Sequence, residues 1–146
     1  MANATFADIN TAIYTILGTL EGEGQPLATV FAYPEADILG YPCAFPMFNG
    51  AKEVIVDNQY NSLAIEFVAR FVFKDNNDKE SYDLVLDTLQ TALAEFRKDD
   101  HYTLGGLCYE FDVSPDIEIL RSTLAKAPVV LFDLNVTAYL LQDTTL

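Results

Sequence analysis

Residues 62–74 read Ser62-Leu-Ala-Ile-Glu-Phe-Val-Ala-Arg-Phe-Val-Phe-Lys74. Leu63, Ile65, Phe67, Ala69, Phe71 and Phe73 share one parity, and Ala64, Glu66, Val68, Arg70, Val72 and Lys74 share the other. Successive side chains of an extended chain point to opposite faces, so this alternation predicts a half-buried strand. The first set is a wall for a core. The second carries its charges toward water or a polar partner. At about 3.3 Å per residue the run spans roughly 43 Å, against roughly 17–20 Å for an ordinary strand. It must therefore bend, or extend past its own core as an arm. Glu66 and Arg70 resemble an ion pair but are about 13 Å apart along a strand. Each needs a cross-strand partner or water.

Upstream, Thr5 or Asp8 can cap a helix reaching about residue 20, with Phe6, Ile9, Ile13, Leu17 and Leu20 as its apolar stripe. Gly18, Gly22 and Gly24, then Pro26, end it. Residues 27–33 read as a short strand. Residues 34–50 hold Pro34, Pro42 and Pro46 among large apolar side chains. Proline removes a ladder donor, so this segment is expected as broken extended pieces at a sheet edge. So apolar a stretch packs on something: the chain's own core or another subunit. The residues singled out for a subunit contact are Tyr33, Tyr41, Phe45, Met47 and Phe48, with Glu66 and Arg70 from the polar side of the long strand. Residues 52–57 form a further possible strand, and Asn58-Gln59-Tyr60-Asn61 a polar turn.

Downstream, Asn77 with Glu80 makes a capping box for a second helix, with Ser81 a rival cap. Tyr82, Val85, Leu86, Leu89, Leu93 and Phe96 form its stripe, and Arg97 and Lys98 sit in the last turn, as the helix dipole prefers. Residues 107–113 read as a strand with Leu107, Tyr109, Phe111 and Val113 inward, turned by Ser114-Pro115. Residues 116–124 fit either a strand or a short helix. Residues 129–141 alternate again, with Val130, Phe132, Leu134, Val136, Ala138 and Leu140 on one face. The tail after residue 141 is expected to be loose. The fold class is α+β: a mainly antiparallel sheet, two main helices on one face, and a long strand or hairpin extending from the core. Residues 1–146 are expected to form one domain.

The formal charge is −14, from 22 acidic and 8 basic residues. That argues against non-specific binding to DNA or to an anionic membrane, either of which needs a basic patch. The simplest reading of the acidity is solubility; the functional readings are a surface that repels nucleic acid or one that mimics it. No run approaches a membrane span, and the N-terminus lacks the regions of a signal peptide, so neither is expected. Cys43 and Cys108 are read as buried free thiols. The one histidine, His101, follows Asp99 and Asp100 at a helix end, where a solvated turn is a simpler reading than a metal site. No serine lies in a nucleophile elbow, no phosphate loop is present, and carboxylate pairs carry little information in so acidic a chain. No catalytic residue, cofactor or metal is therefore expected, and the chain is not read as an enzyme.

The layout resembles a known family. A short N-terminal helix precedes the proline-broken apolar segment, Tyr33-Pro34 through Ala44-Phe45-Pro46. The polar turn at residues 58–61 leads into Phe67-Val68-Ala69-Arg70-Phe71-Val72-Phe73. An amphipathic helix follows, and the last strand ends Asn135-Val136-Thr137-Ala138-Tyr139-Leu140. This is similar to the tail-terminator proteins of long-tailed bacteriophages, small α+β subunits that close the end of the tail tube. The resemblance implies a virion component, assembled in the host cytoplasm, that forms a ring of six copies of itself. The ring would stack on the tail tube protein and later dock to the head connector or completion protein. DNA would pass only in transit through an acidic lumen, and no membrane would be involved. A tail tube protein or a head-completion (neck) protein is the neighbouring reading. An acidic DNA-mimic inhibitor and a small-molecule-binding or enzymatic α+β domain are the other classes.

Overall fold

A computed structural model describes residues 5–34, 40–55, 60–114, 116–124 and 127–143. The stretch quoted above lies in the third strand, β3 (Tyr60–Lys74), between two other long strands, β2 (Cys43–Ile55) and β6 (Ala127–Asp143). β3 runs antiparallel to both and is paired on both sides along almost its whole length. A short strand, β1 (Thr29–Val30), pairs in parallel with the start of β2. The outer edge of β6 is shared by β4 (Glu110–Val113) and β5 (Ile119–Leu124). The sheet order is β1-β2-β3-β6-β4, with β5 also on β6. The three long strands run on past β4, whose pairing with β6 ends at Glu110 opposite Tyr139. The overlong strand is thus the middle of a ribbon that extends beyond its flanking strand.

Two helices, α1 (Phe6–Gly18) and α2 (Lys79–Phe96), cover one face. The odd-numbered wall of β3 and the even-numbered wall of β6 meet them there, as the alternation requires. Phe132 stacks on Phe71 with ring centroids 4.7 Å apart and lies 5.8 Å from Phe73; all three rings are buried. α1 is held at its start by a full capping box, with Thr5 and Asp8 each accepting the other's backbone N–H. Its buried side is Ile9, Ile13, Ile16 and Leu17, whereas Phe6, expected in the stripe, is 44% exposed. Among the described residues no helix is long and apolar enough to cross a membrane.

Several elements differ from the sequence reading, each for a local reason. The strand expected over residues 27–33 is only two residues long. The broken pieces of residues 34–50 and the separate strand after residue 52 are instead one continuous strand, β2, from residue 43 to residue 55. It accommodates Pro46 because, among the described residues, β1 covers its outer edge only at Cys43 and Ala44. Residues 35–39, residues 58 and 59 of the expected turn, Pro115 and the last three tail residues lie outside the described residues, while Tyr60 and Asn61, expected in that turn, already belong to β3. The cap of α2 is Asp78, which accepts from the Ser81 N–H at 2.8 Å, in place of Asn77. The side of α2 that packs on the sheet is Val85, Thr88, Ala92 and Phe96, while Tyr82 and Leu86 are exposed. Small residues let the helix approach the sheet, and the Thr88 hydroxyl is satisfied by donating to the Leu84 carbonyl. Residues 104–106 form a 3-10 turn, so the strand expected from residue 107 begins only at Glu110, and Tyr109 is exposed. Residues 119–124 are strand.

Candidate assembly surface

The face of the sheet away from the helices is the polar one. Cys43, Phe45, Val72, Val129 and Leu131 make a small second core at one end of it, with Phe31, Tyr41 and Met47 packed against it. Three of the singled-out contact residues, Tyr41, Phe45 and Met47, thus belong wholly or partly to the chain's own core. Tyr33 is exposed and Phe48 is 54% exposed. Beyond that core lie Arg70 and Glu66, each with the cross-strand partner the spacing demanded. The Arg70 guanidinium donates to both carboxylate oxygens of Asp133, directly opposite on β6, at 2.8 and 2.9 Å. That hydrogen bonding raises the guanidinium pKa above its ordinary value against the opposing effect of burial. Glu66 takes Lys52 of β2 at 3.6 Å, a diagonal pair across Gly50.

One extra residue in β2 disturbs the alternation: the register against β3 shifts between Phe48 and Gly50, leaving Asn49 as a bulge. Gly50 has φ +145°, a backbone that L side chains seldom adopt. Because of the bulge, Phe48 shares the helix face with Phe67, while Gly50 and Lys52 share the open face with Glu66 and Ala64. Phe48 stacks on Phe6 of α1 at 5.4 Å and meets Phe67 edge-on at 5.6 Å. The result is an aromatic ledge standing in water beside the edge of β2.

The opposite end of the sheet is acidic and hollow. Glu110 and Asp112 of β4 face the open side, level with Tyr139 and Thr137. The Tyr139 phenol is pushed up, first by burial and then by the Asp112 and Glu110 charges; Tyr102 is pushed up chiefly by Glu110. Tyr109 shares a 2.6 Å hydrogen bond with Ser62 of β3. On the helix side of β4, an open hollow of about 510 Å³ lies between the end of α2 and the strand, lined by Phe96, Tyr102, Phe111 and Val113 together with the charged Arg97, Lys98, Asp99 and Asp112.

The side chains that the sequence offers for chemistry lie apart from these surfaces or are buried. His101 lies in a 3-10 turn, its Nε2 3.3 Å from a Glu95 oxygen whose carboxylate also accepts from Lys98 at 2.6 Å. Among the described residues no three His, Cys, Asp or Glu side chains are placed to hold a metal ion. Burial pushes the Cys43 thiol up to about 12 and the Cys108 thiol up to about 11, the wrong direction for a nucleophile. Cys108 precedes β4 and is not part of a strand.

These observations define a class by fold alone: an α+β domain with helices on one face of a long-stranded sheet. No protein-family model matches the chain, and no curated protein matches it. Sequence reasoning reached Phe48, Glu66 and Arg70 but missed Lys52, Glu110, Asp112 and Asp133, whose importance depends on strand register. It also missed Phe6, which reads as one more apolar stripe position.

Proposed function

We propose that the chain is a structural subunit of a long-tailed bacteriophage, of the tail-terminator kind. It closes the tail tube as a ring of its own copies and forms the tail side of the head–tail junction. The observation that carries this reading is the pair of unlike ends on one sheet. Past Ala44, the outer edge of β2 has no strand beside it among the described residues, and it carries an exposed aromatic pair and Lys52. The other end offers carboxylates and a hollow. Unlike surfaces associate head to tail, and head-to-tail contacts close into rings when the rotation permits. An unpaired sheet edge is also a ready site for association. The formal charge of −14 suits a channel through which DNA slides without sticking, since like charges repel.

Native mass spectrometry of the purified chain, alone and with tail tube protein, tests the reading. Single closed rings of six that cap tubes are the expected result. A chain that stays solitary at high concentration would overturn it. Spontaneous growth into long tubes would transfer the chain to the tube-protein class.

A further inference from the structure

Three cross-sheet rows connect the two ends. On the open face, Lys52 is level with Ala64, Tyr139 and Glu110, and Gly50 is level with Glu66, Thr137 and Asp112. On the helix face, Phe48 is level with Phe67, Val136 and Val113. The projecting aromatic pair at one end therefore lies in the same row as the cavity at the other. Lys52 at one end lies in the same row as a carboxylate at the other. β2 and β4 run in opposite senses, because β2, β3, β6 and β4 alternate in direction. A second copy displaced across the sheet by its own width would lay its β2 antiparallel to β4 of the first.

We infer that a second copy of this chain is the occupant of the hollow beside β4. The Phe6–Phe48 pair of one copy seats against Phe111 and Val113 of the next, and Lys52 lies between Glu110 and Asp112. Two independent complementarities, one of shape and one of charge, fall in a single register. The hollow measures about 510 Å³ and is open to solvent; besides Phe111 and Val113 its lining carries Arg97 and Lys98, whose cations can lie on the faces of incoming rings. Lys52 is 70% exposed and its link to Glu66 is long, so it can turn to a second acidic partner at little cost. β1 and β5 project at the other end of the two edges, so the copies splay there and the contact is confined to the part of the sheet past Phe45. This deepens the ring reading and rests on it.

Charge reversal tests the contact in the full-length chain, with circular dichroism confirming that each variant is folded. Lys52→Glu alone, and Glu110→Lys with Asp112→Lys alone, should each weaken assembly on the order of tenfold or more, because every junction then opposes like charges. Mixed one to one, the two variants should assemble again, into rings with even numbers of alternating copies. Phe48→Asp should also prevent assembly, without rescue by either variant. If the charge variants form the same rings as the parent chain, or dissociate without recovering on mixing, the contact lies elsewhere and the inference fails, with the ring reading intact. If the parent chain itself forms no ring, the ring reading is what fails.

Discussion

The two faces of the sheet are made by the same three strands, yet they answer to different physics. The helix face is a continuous apolar wall in which Phe71, Phe73 and Phe132 are stacked and dry. The open face has a core only at one end, around Phe45 and Val72, and then becomes a ladder of cross-strand ion pairs. Burial stabilises the first roughly in proportion to apolar area. The second contributes little to stability, since half-exposed charges exchange water for one another at nearly equal free energy. The open face is therefore free to be shaped by contact with something else, while the helix face is not.

Measurements can break or sharpen this contrast. The largest effect is expected from Phe132→Ala, which leaves a void between two buried rings; about 3–5 kcal/mol should be lost, read as a lowered urea midpoint. Arg70→Ala should cost much less, about 1 kcal/mol, because its pair with Asp133 is two-pronged but about a third open to water. A cost equal to that of Phe132→Ala would mean the open face is as dry as the other. Arg70→Lys should recover only part of the loss, since an ammonium cannot match the fork.

A smaller effect concerns Glu95. Its carboxyl is held below the ordinary value chiefly by the Lys98 hydrogen bond, with burial opposing and His101 assisting. A depressed folded value stabilises the protein above the ordinary carboxyl range. The contribution is lost as pH falls below about 4.5, through the folded value. Urea midpoints followed from pH 7 to pH 3 should fall less steeply for Glu95→Gln than for the parent chain. The smallest effect is expected from Lys52→Ala, within about 0.5 kcal/mol in stability by the same urea assay. A large loss would show that Lys52 serves the fold and not contact.

Much of this contrast was legible from the chain. The alternation of residues 62–74 and 129–141 assigned most side chains to their faces, and the need of Glu66 and Arg70 for cross-strand partners followed from distance alone. Their partners were not legible, because Lys52 and Asp133 come alongside only through strand register, which no local pattern encodes. Size misled at α2: Leu86 and Tyr82 look like core, yet Thr88 and Ala92 face the sheet because their small side chains permit close approach. Pro46 was read as a break when it is tolerated inside a strand with a largely uncovered edge. Phe45 and Phe48 look alike in the sequence, but one is buried on the open face and the other stands at the edge of the helix face. The candidate surface was thus half visible, in its residue types and not in its geometry.

The bulge at Asn49 has a consequence for evolution and for engineering. From Gly50 to the end of β2, which side each residue occupies is set by a count, and Asn49 is the odd member that sets it. Flattening the bulge, so that Asn49 paired with Glu66, would carry Lys52 round to the greasy side and turn Ala51 outward, with no change in the chemistry of either. Deleting Asn49 would straighten the strand and leave Lys52 on its present side, whereas deleting Ala51 would turn Lys52 over, so the count of residues after the bulge should prove more constrained than the bulge itself.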